Sequence, residues 1–143
     1  MSKARGRRLT AAECGRLGCL EGRVDYAKVR LHGQSPDGRL RRLVLWMSRG
    51  RAIALGNHVY LPAHCDGDLA VLAHELTHCG QYQAWGPIRY YARGAAAQLR
   101  DLLHRALGLG RGPYAYRLEP GKPFESYGME QQAMIVEDSL RSG

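Results

Sequence analysis

His74-Glu75-Leu76-Thr77-His78 has the form HExxH and lies in a stretch whose apolar periodicity is helical. In an α-helix, residues i and i+4 share a face one turn apart, so two imidazoles can converge on one ion. Glu75 follows His74 about 100° further round the helix, near enough to hold a water at that ion without ligating it. These residue types at this spacing are the parts of zinc-dependent hydrolysis: the ion acidifies a water, and a carboxylate takes its proton. Asp66-Gly67-Asp68 offers N-capping oxygens and negative charge at the helix start. Leu69, Leu72, Leu76 and Cys79 recur at helical spacing and form an apolar stripe. Both histidines project roughly opposite that stripe, which predicts a helix held from behind by the core with its histidine face open to a cleft.

Catalytic zinc usually takes three protein ligands and keeps a position for water. The third is not local. The extended pattern HExxHxxGxxH fails, because Cys79-Gly80-Gln81-Tyr82-Gln83-Ala84 follows His78 without a histidine at the required spacing. Asp101, His104, Glu119, Glu125, Glu130 and Glu137 remain downstream. Glu130 is the best of them. It falls about one turn into a final helix predicted over 125–140, on a face shared with Tyr127, Ala133 and Met134. That face is apolar apart from its carboxylates, and a carboxylate packed inward needs a cation or donors. Glu137 shares the face but lies roughly 10 Å along the axis, which suits a supporting contact or a rim salt bridge rather than a shared ion. His64, just before the HExxH helix, is the reserve ligand, whereas His32, His58 and His104 read as exposed or hydrogen-bonded histidines. Tyr127, Tyr116 and Tyr114 are the phenols available to steady an oxyanion, with Tyr127 nearest Glu130 in sequence.

The chain has 143 residues and a formal net charge of +8. That length suits one domain with a real core, over 9–143, preceded by a disordered basic arm, 1–8. No apolar run approaches the roughly 18–20 residues of a membrane span. The N-terminus is basic without an apolar segment, so it is not a Sec signal peptide; a cytoplasmic protein is expected, with export by a non-Sec machine left open. Arginines recur at Arg5, Arg7 and Arg8 and again at Arg39, Arg41, Arg42, Arg49 and Arg51. Only one aromatic residue, Trp46, falls among them and no DNA-binding motif appears, so weak, non-specific nucleic-acid binding is the most they predict. Neither Cys14 with Cys19 nor Cys65 with Cys79 suits a disulfide, and there is no CxxC, so free thiols are expected.

Along the chain, Thr10-Ala11-Ala12-Glu13 reads as a capping box opening a short helix that ends near Gly22. Val29–His32 alternates like an edge strand. Residues 35–38 are turn chemistry, and 40–48 are ambiguous between strand and helix. Ala52–Leu55, the turn Gly56-Asn57 and His58–Leu61 read as a β-hairpin. The HExxH helix is predicted over 67–84 and a second over 88–108, disturbed at Gly94, with a glycine-rich loop before a segment at Tyr114–Leu118 that can extend. A small sheet followed by helices makes an α+β domain.

Several stretches together resemble one group of bacterial proteins: Arg8-Leu9-Thr10, Asp25–His32, Asn57–Pro62, Leu72–His78 followed by Gln81, and Tyr127–Ala133. Their order and wording resemble the small Vgr-related proteins and the metallopeptidase-like core domain found around contractile injection systems and polymorphic toxins, over roughly residues 8–140. The resemblance implies a minimal zincin of the gluzincin type, with Zn2+ on His74, His78 and Glu130, Glu75 as base, and a link to effector secretion. Two departures are Cys79, where valine is common, and a long gap between His78 and Glu130. The leading expectation is a zinc metallopeptidase acting on protein or peptide, with Glu75 and Tyr127 as its catalytic groups. The competing expectations are a non-catalytic zinc-binding assembly or adaptor module of a secretion system, with apparatus or effector proteins as partners, and a DNA-associated zinc protease.

Overall fold

Thr10 opens helix α1 (Ala11–Arg16) through the capping box its sequence predicts: its hydroxyl accepts the Glu13 N–H, and the Glu13 carboxylate accepts the Thr10 N–H. The helix is shorter than expected, giving way at Leu17 to a 3-10 turn over Gly18–Leu20. The computed structural model describes residues 6–32, 51–62, 67–108 and 116–142, and the statements below concern these. They form an α+β domain of four α-helices and a three-stranded sheet. Arg7, expected in a disordered arm, is anchored instead. Its backbone exchanges two hydrogen bonds with Leu31, at 2.8 and 2.7 Å, and its guanidinium forks onto Glu13, holding that carboxyl down at about 2. The readings made for residues 1–5, 35–48 and the 109–115 loop lie outside the described residues.

The sheet consists of β1 (Arg30–His32), β2 (Ile53–Leu55) and β3 (His58–Tyr60) in the order β1-β3-β2. Gly56 turns the predicted hairpin with φ 64, close under the Tyr82 ring. β3 pairs antiparallel with β2 and parallel with β1, so the hairpin's second strand is central and β1 is an edge, as its pattern suggested. The register aligns Leu31 with Val59 and Val59 with Ala54, and this buried row faces the core.

Against the sheet lies α2 (Leu69–Trp85), the HExxH helix, started by Asp68, whose carboxylate accepts the Val71 N–H at 3.2 Å. Leu72, Ala73, Leu76 and Cys79 join Leu17, Leu20, Val29, Leu31 and Val59 in one core cluster. The predicted stripe therefore packs inward as expected, but the opposite face is not open to a cleft. α4 (Met129–Ser142) lies along it, the most extensive contact between any two elements among the described residues, so α2 is buried at Ala70 and from Leu72 through Gln81. Between them in sequence, α3 (Pro87–Leu107) begins after Gly86, with Pro87 in the first-turn position where its missing N–H costs nothing. Gly94 does not disturb α3; Met129 Cε comes within 3.8 Å of where its Cβ would stand. The last helix also starts later than predicted, because a 3-10 turn occupies Phe124–Ser126 and Tyr127 is extended. Gln131 accepts the Gly128 N–H at 2.8 Å and caps the start of α4.

Gly80 sets how closely α2 approaches the segment after α1. A Cβ there would sit 2.6 Å from the Arg23 carbonyl oxygen and 2.9 Å from a Val24 methyl. Backbone cannot step aside as a side-chain tip can. Gly80→Ala is therefore expected to lower stability by about 1–3 kcal/mol, the usual range for overpacking, despite alanine's better helix propensity. An unchanged or raised melting temperature would show that this approach is not a constraint.

Candidate metal centre

Four ionisable groups meet between α2 and α4. His74, Glu75, His78 and Glu130 are 9%, 7%, 6% and 8% exposed, too little for bulk water to solvate their charges. His74 and His78 lie one turn apart on α2, as the motif requires. Glu130 comes from the first turn of α4, an element joined to α2 only through α3 and a long connection. Both imidazoles present Nε2 to the same Glu130 oxygen, at 3.5 Å from His74 and 3.3 Å from His78. These separations are long for charge-assisted hydrogen bonds. They match the edges of a coordination shell instead: bonds of about 2.0–2.1 Å meeting at a tetrahedral angle set ligand atoms roughly 3.3–3.4 Å apart. The three ligand atoms lie within 4.8 Å of one another, and among the described residues no other His, Cys, Asp or Glu group meets that test.

The outer nitrogens of the two histidines are treated differently. His78 Nδ1 lies 2.8 Å from Gln81 Oε1. The Gln81 amide nitrogen spends its protons on Met129 O at 2.9 Å and Gln132 Oε1 at 3.1 Å, and Gln132 donates in turn to Tyr127 O at 2.9 Å. With both amide groups oriented by backbone carbonyls, Gln81 has only its oxygen left for His78. Nδ1 must then carry a proton in either charge state: the imidazolium turns Nε2–H to Glu130, and the neutral ring keeps its Nε2 lone pair free for an ion. His74 Nδ1 lies 3.0 Å from Glu137 Oε1 but out of hydrogen-bond alignment, and it is the one buried side-chain polar atom without a partner among the described residues. A small turn of the ring would pair it with Glu137, the supporting position its two-turn offset suggested. The second Glu137 oxygen takes Arg141 Nε at 3.2 Å, and Arg141 reaches Asp68 at the start of α2.

Burial and charge displace the titrations in opposite directions. Burial raises the Glu75 carboxyl to about 6 against the pull of His78 and His74. Burial opposes charge on His78 as well, but the Glu130 carboxylate beside it prevails and holds the imidazolium to about 9. For Glu130 burial again acts upward, and the two histidines overcome it to leave the carboxyl at about 2. Without an ion, a shared proton does what a cation would do. Three carboxylates and two imidazoles in one site, with Arg141 only at its outer edge, form a donor set that fits a divalent cation.

The remaining candidates lie elsewhere. The Tyr127 hydroxyl accepts the Glu119 N–H at 3.0 Å and its ring lies under Lys122, so the hydroxyl is tied to the preceding segment rather than one helical turn below Glu130. Tyr116 bonds Asp138; Tyr114 and His64 lie outside the described residues. Asp101 pairs with Arg105, and Glu125 with Arg23. His32 and His58 bond each other at 2.9 Å, and Cys14, Cys19 and Cys79 are free thiols, Cys79 pushed up to about 12 by burial. Gln81 and Gln132 stand in stretches that carried the family resemblance, but their roles were missed. Gln81, three residues after His78 and so on its face, was a legible signal; Gln132 became one only once α4 was placed.

The eCIS core domain family matches residues 22–86. The type VI secretion system spike protein VgrG2b of Pseudomonas aeruginosa is 34% identical over 125 residues, 80% of this chain. The chain spans 11% of that protein's length. The solved effector domain of Pseudomonas aeruginosa VgrG2b is 30% identical, covers 98% of this chain with 76% of its own length matched, and superposes with a TM-score of 0.67.

Two outcomes test the centre. Ligation needs neutral imidazoles, whereas the metal-free site is stabilised by a charged one. The His78 contribution is present below 6.5 and lost as pH rises through about 9; that of Glu75 is lost between 4.5 and about 6; that of Glu130 is present above 4.5 and lost only as pH falls through about 2. The melting-temperature gap between metal-loaded and chelator-treated protein should therefore widen from about pH 5 to about pH 8. A gap that is absent or constant would count against this site. Gln81→Leu, which strips His78 of its orienting acceptor, should weaken metal affinity about 10–100-fold at unchanged stoichiometry, as competition with a chelator would measure.

Proposed function

Because the chain belongs to the family of the VgrG2b effector domain, we propose that it is an effector module delivered by a bacterial contractile secretion apparatus, and that its buried centre is a zinc site for peptide hydrolysis. The family relationship supports the secretion part. The chemical part rests on one observation: His74 and His78 present Nε2 to a single Glu130 oxygen at ligand–ligand spacing, with Glu75 buried beside them. Two nitrogens and one carboxylate oxygen are a donor set of zinc hydrolases, which fits the gluzincin reading. A bound Zn2+ would supply Lewis acidity, polarising a carbonyl and making water acidic enough to react near neutral pH.

The protein's own residues do the rest. Glu75, whose carboxyl burial places near 6, accepts a proton from the attacking water and returns it to the leaving amine. Gln81 holds His78 in the tautomer whose Nε2 is free, and Glu137 stands ready to do the same for His74. Tyr127 remains the oxyanion donor proposed from sequence only if its hydroxyl leaves Glu119 when substrate binds. A second reading, a non-catalytic module of the apparatus, is favoured by the relationship to a spike protein and by the way α4 covers the histidine face. No helix among the described residues is long and apolar enough to cross a membrane.

Glu75→Gln separates the two. The variant should keep its zinc, fold and partner binding but lose about 10²–10⁴-fold in peptide-library turnover, the usual worth of general acid–base catalysis. His74→Ala should lose the metal as well. Equal turnover and equal cellular effect in wild type and Glu75→Gln would leave the assembly module standing and remove the peptidase.

A further inference from the structure

α3 buries Tyr90 and Ala97, keeps Gly94 and Asp101 half-buried on the same side, and turns the opposite side outward. That outward surface is apolar. Ile88, Leu99, Leu102 and Leu107 are 86%, 57%, 62% and 63% exposed, and Tyr91 and Leu103 are exposed beside them. At about 100° per residue, Ile88, Leu99 and Leu102, with Ala92, Ala95 and Ala106 between them, centre directly opposite the buried side. The apolar arc spans roughly 160° of the helix. Its borders are cationic. Arg89, Arg93 and Arg100 line one edge and Arg105 the other, against a single acidic residue, Asp101, which sits toward the domain and pairs with Arg105. Trp85, at the base of the helix, carries Arg93 across its ring at 4.2 Å.

We infer that α3 is a lipid-docking helix that lies flat in the interface of an anionic membrane, with the Ile88–Leu99–Leu102 face among the acyl chains and its flanking arginines on the phosphates. Charge selects this occupant, and width excludes a two-helix seam. A coiled-coil partner needs a narrow seam, and an arc this broad would leave most of its leucines outside one. A second copy would bring the same arginine borders face to face. Lipid accepts a broad apolar arc, and guanidiniums at its edges can reach headgroups while their stems stay in the apolar layer. The net charge of +8 adds attraction to a negative surface. The helix is not apolar enough to cross, so it would lie along the surface. The surface is distinct from the metal centre, and the inference stands whether or not that centre is catalytic.

Flotation of the full chain tests it, using vesicles of phosphatidylcholine alone and vesicles carrying about one-third phosphatidylglycerol. The chain should float with the anionic vesicles, weakly or not at all with the neutral ones, and less as salt rises. Arg89→Gln and Arg100→Gln should each weaken binding about fivefold. Leu99→Glu with Leu102→Glu, both at exposed positions, should abolish it with the melting temperature unchanged. Three results would overturn the inference: no flotation with anionic vesicles, flotation undiminished in the folded double-glutamate variant, or a solution dimer that the same variant dissociates, which would make this face a contact between copies.

Discussion

Charge removed from water is the constraint on which this structure turns. Placing two imidazoles and two carboxylates between α2 and α4 would be costly if any were left alone, because an unpaired buried ion costs several kcal/mol. The arrangement meets that cost by convergence. Glu130 stands where it answers both histidines, Gln81 and Glu137 stand at their outer nitrogens, and Arg141 closes the outer edge onto Asp68. A divalent ion would complete the same arrangement more fully than a shared proton does.

That convergence depends on α2 being held from both sides. Leu72, Leu76 and Cys79 seat it on the Leu31–Val59–Ala54 row of the sheet, and Gly80 lets the segment at Arg23 come against its flank. The backbone that carries the histidines is therefore held by contacts on the side away from α4. α4 brings two things at once: the carboxylate that faces both Nε2 atoms, and the Met129 carbonyl and Gln132 amide that fix the orientation of Gln81. The packing of α4 on α2 and the completion of the site therefore rest on the same contacts. The exposed leucines of α3 are the exception, since burial among the described residues does not account for them.

Much of this was legible in the residue order because it is local. A capping box, a hairpin turn and an HExxH helix each depend on residues within a few positions of one another, and Thr10, Gly56-Asn57 and Asp68 act as their types predict. Local rules also set where errors arose. The last helix was placed too early, because a 3-10 turn and an extended Tyr127 satisfy the same residues that would suit a helix start. The tyrosine hydroxyl went to the Glu119 backbone, a partner that helical spacing cannot reveal. Arg7 was given to a loose arm because nothing nearby in sequence shows that Leu31 would pair with it.

The sequence by itself determined the α+β order of elements, the pair His74 and His78 on one helical face, and the residue types available to complete a site. Only the tertiary structure decided that Glu130 rather than Asp101, Glu119 or Glu125 meets those histidines, that Glu137 comes within 3.0 Å of His74 Nδ1, and that the histidine face is covered rather than open. The division is physical. Helical periodicity fixes which side chains share a face within one element, but the packing of α4 against α2 is set by how whole faces fit, and that fit lies in no local stretch of the chain.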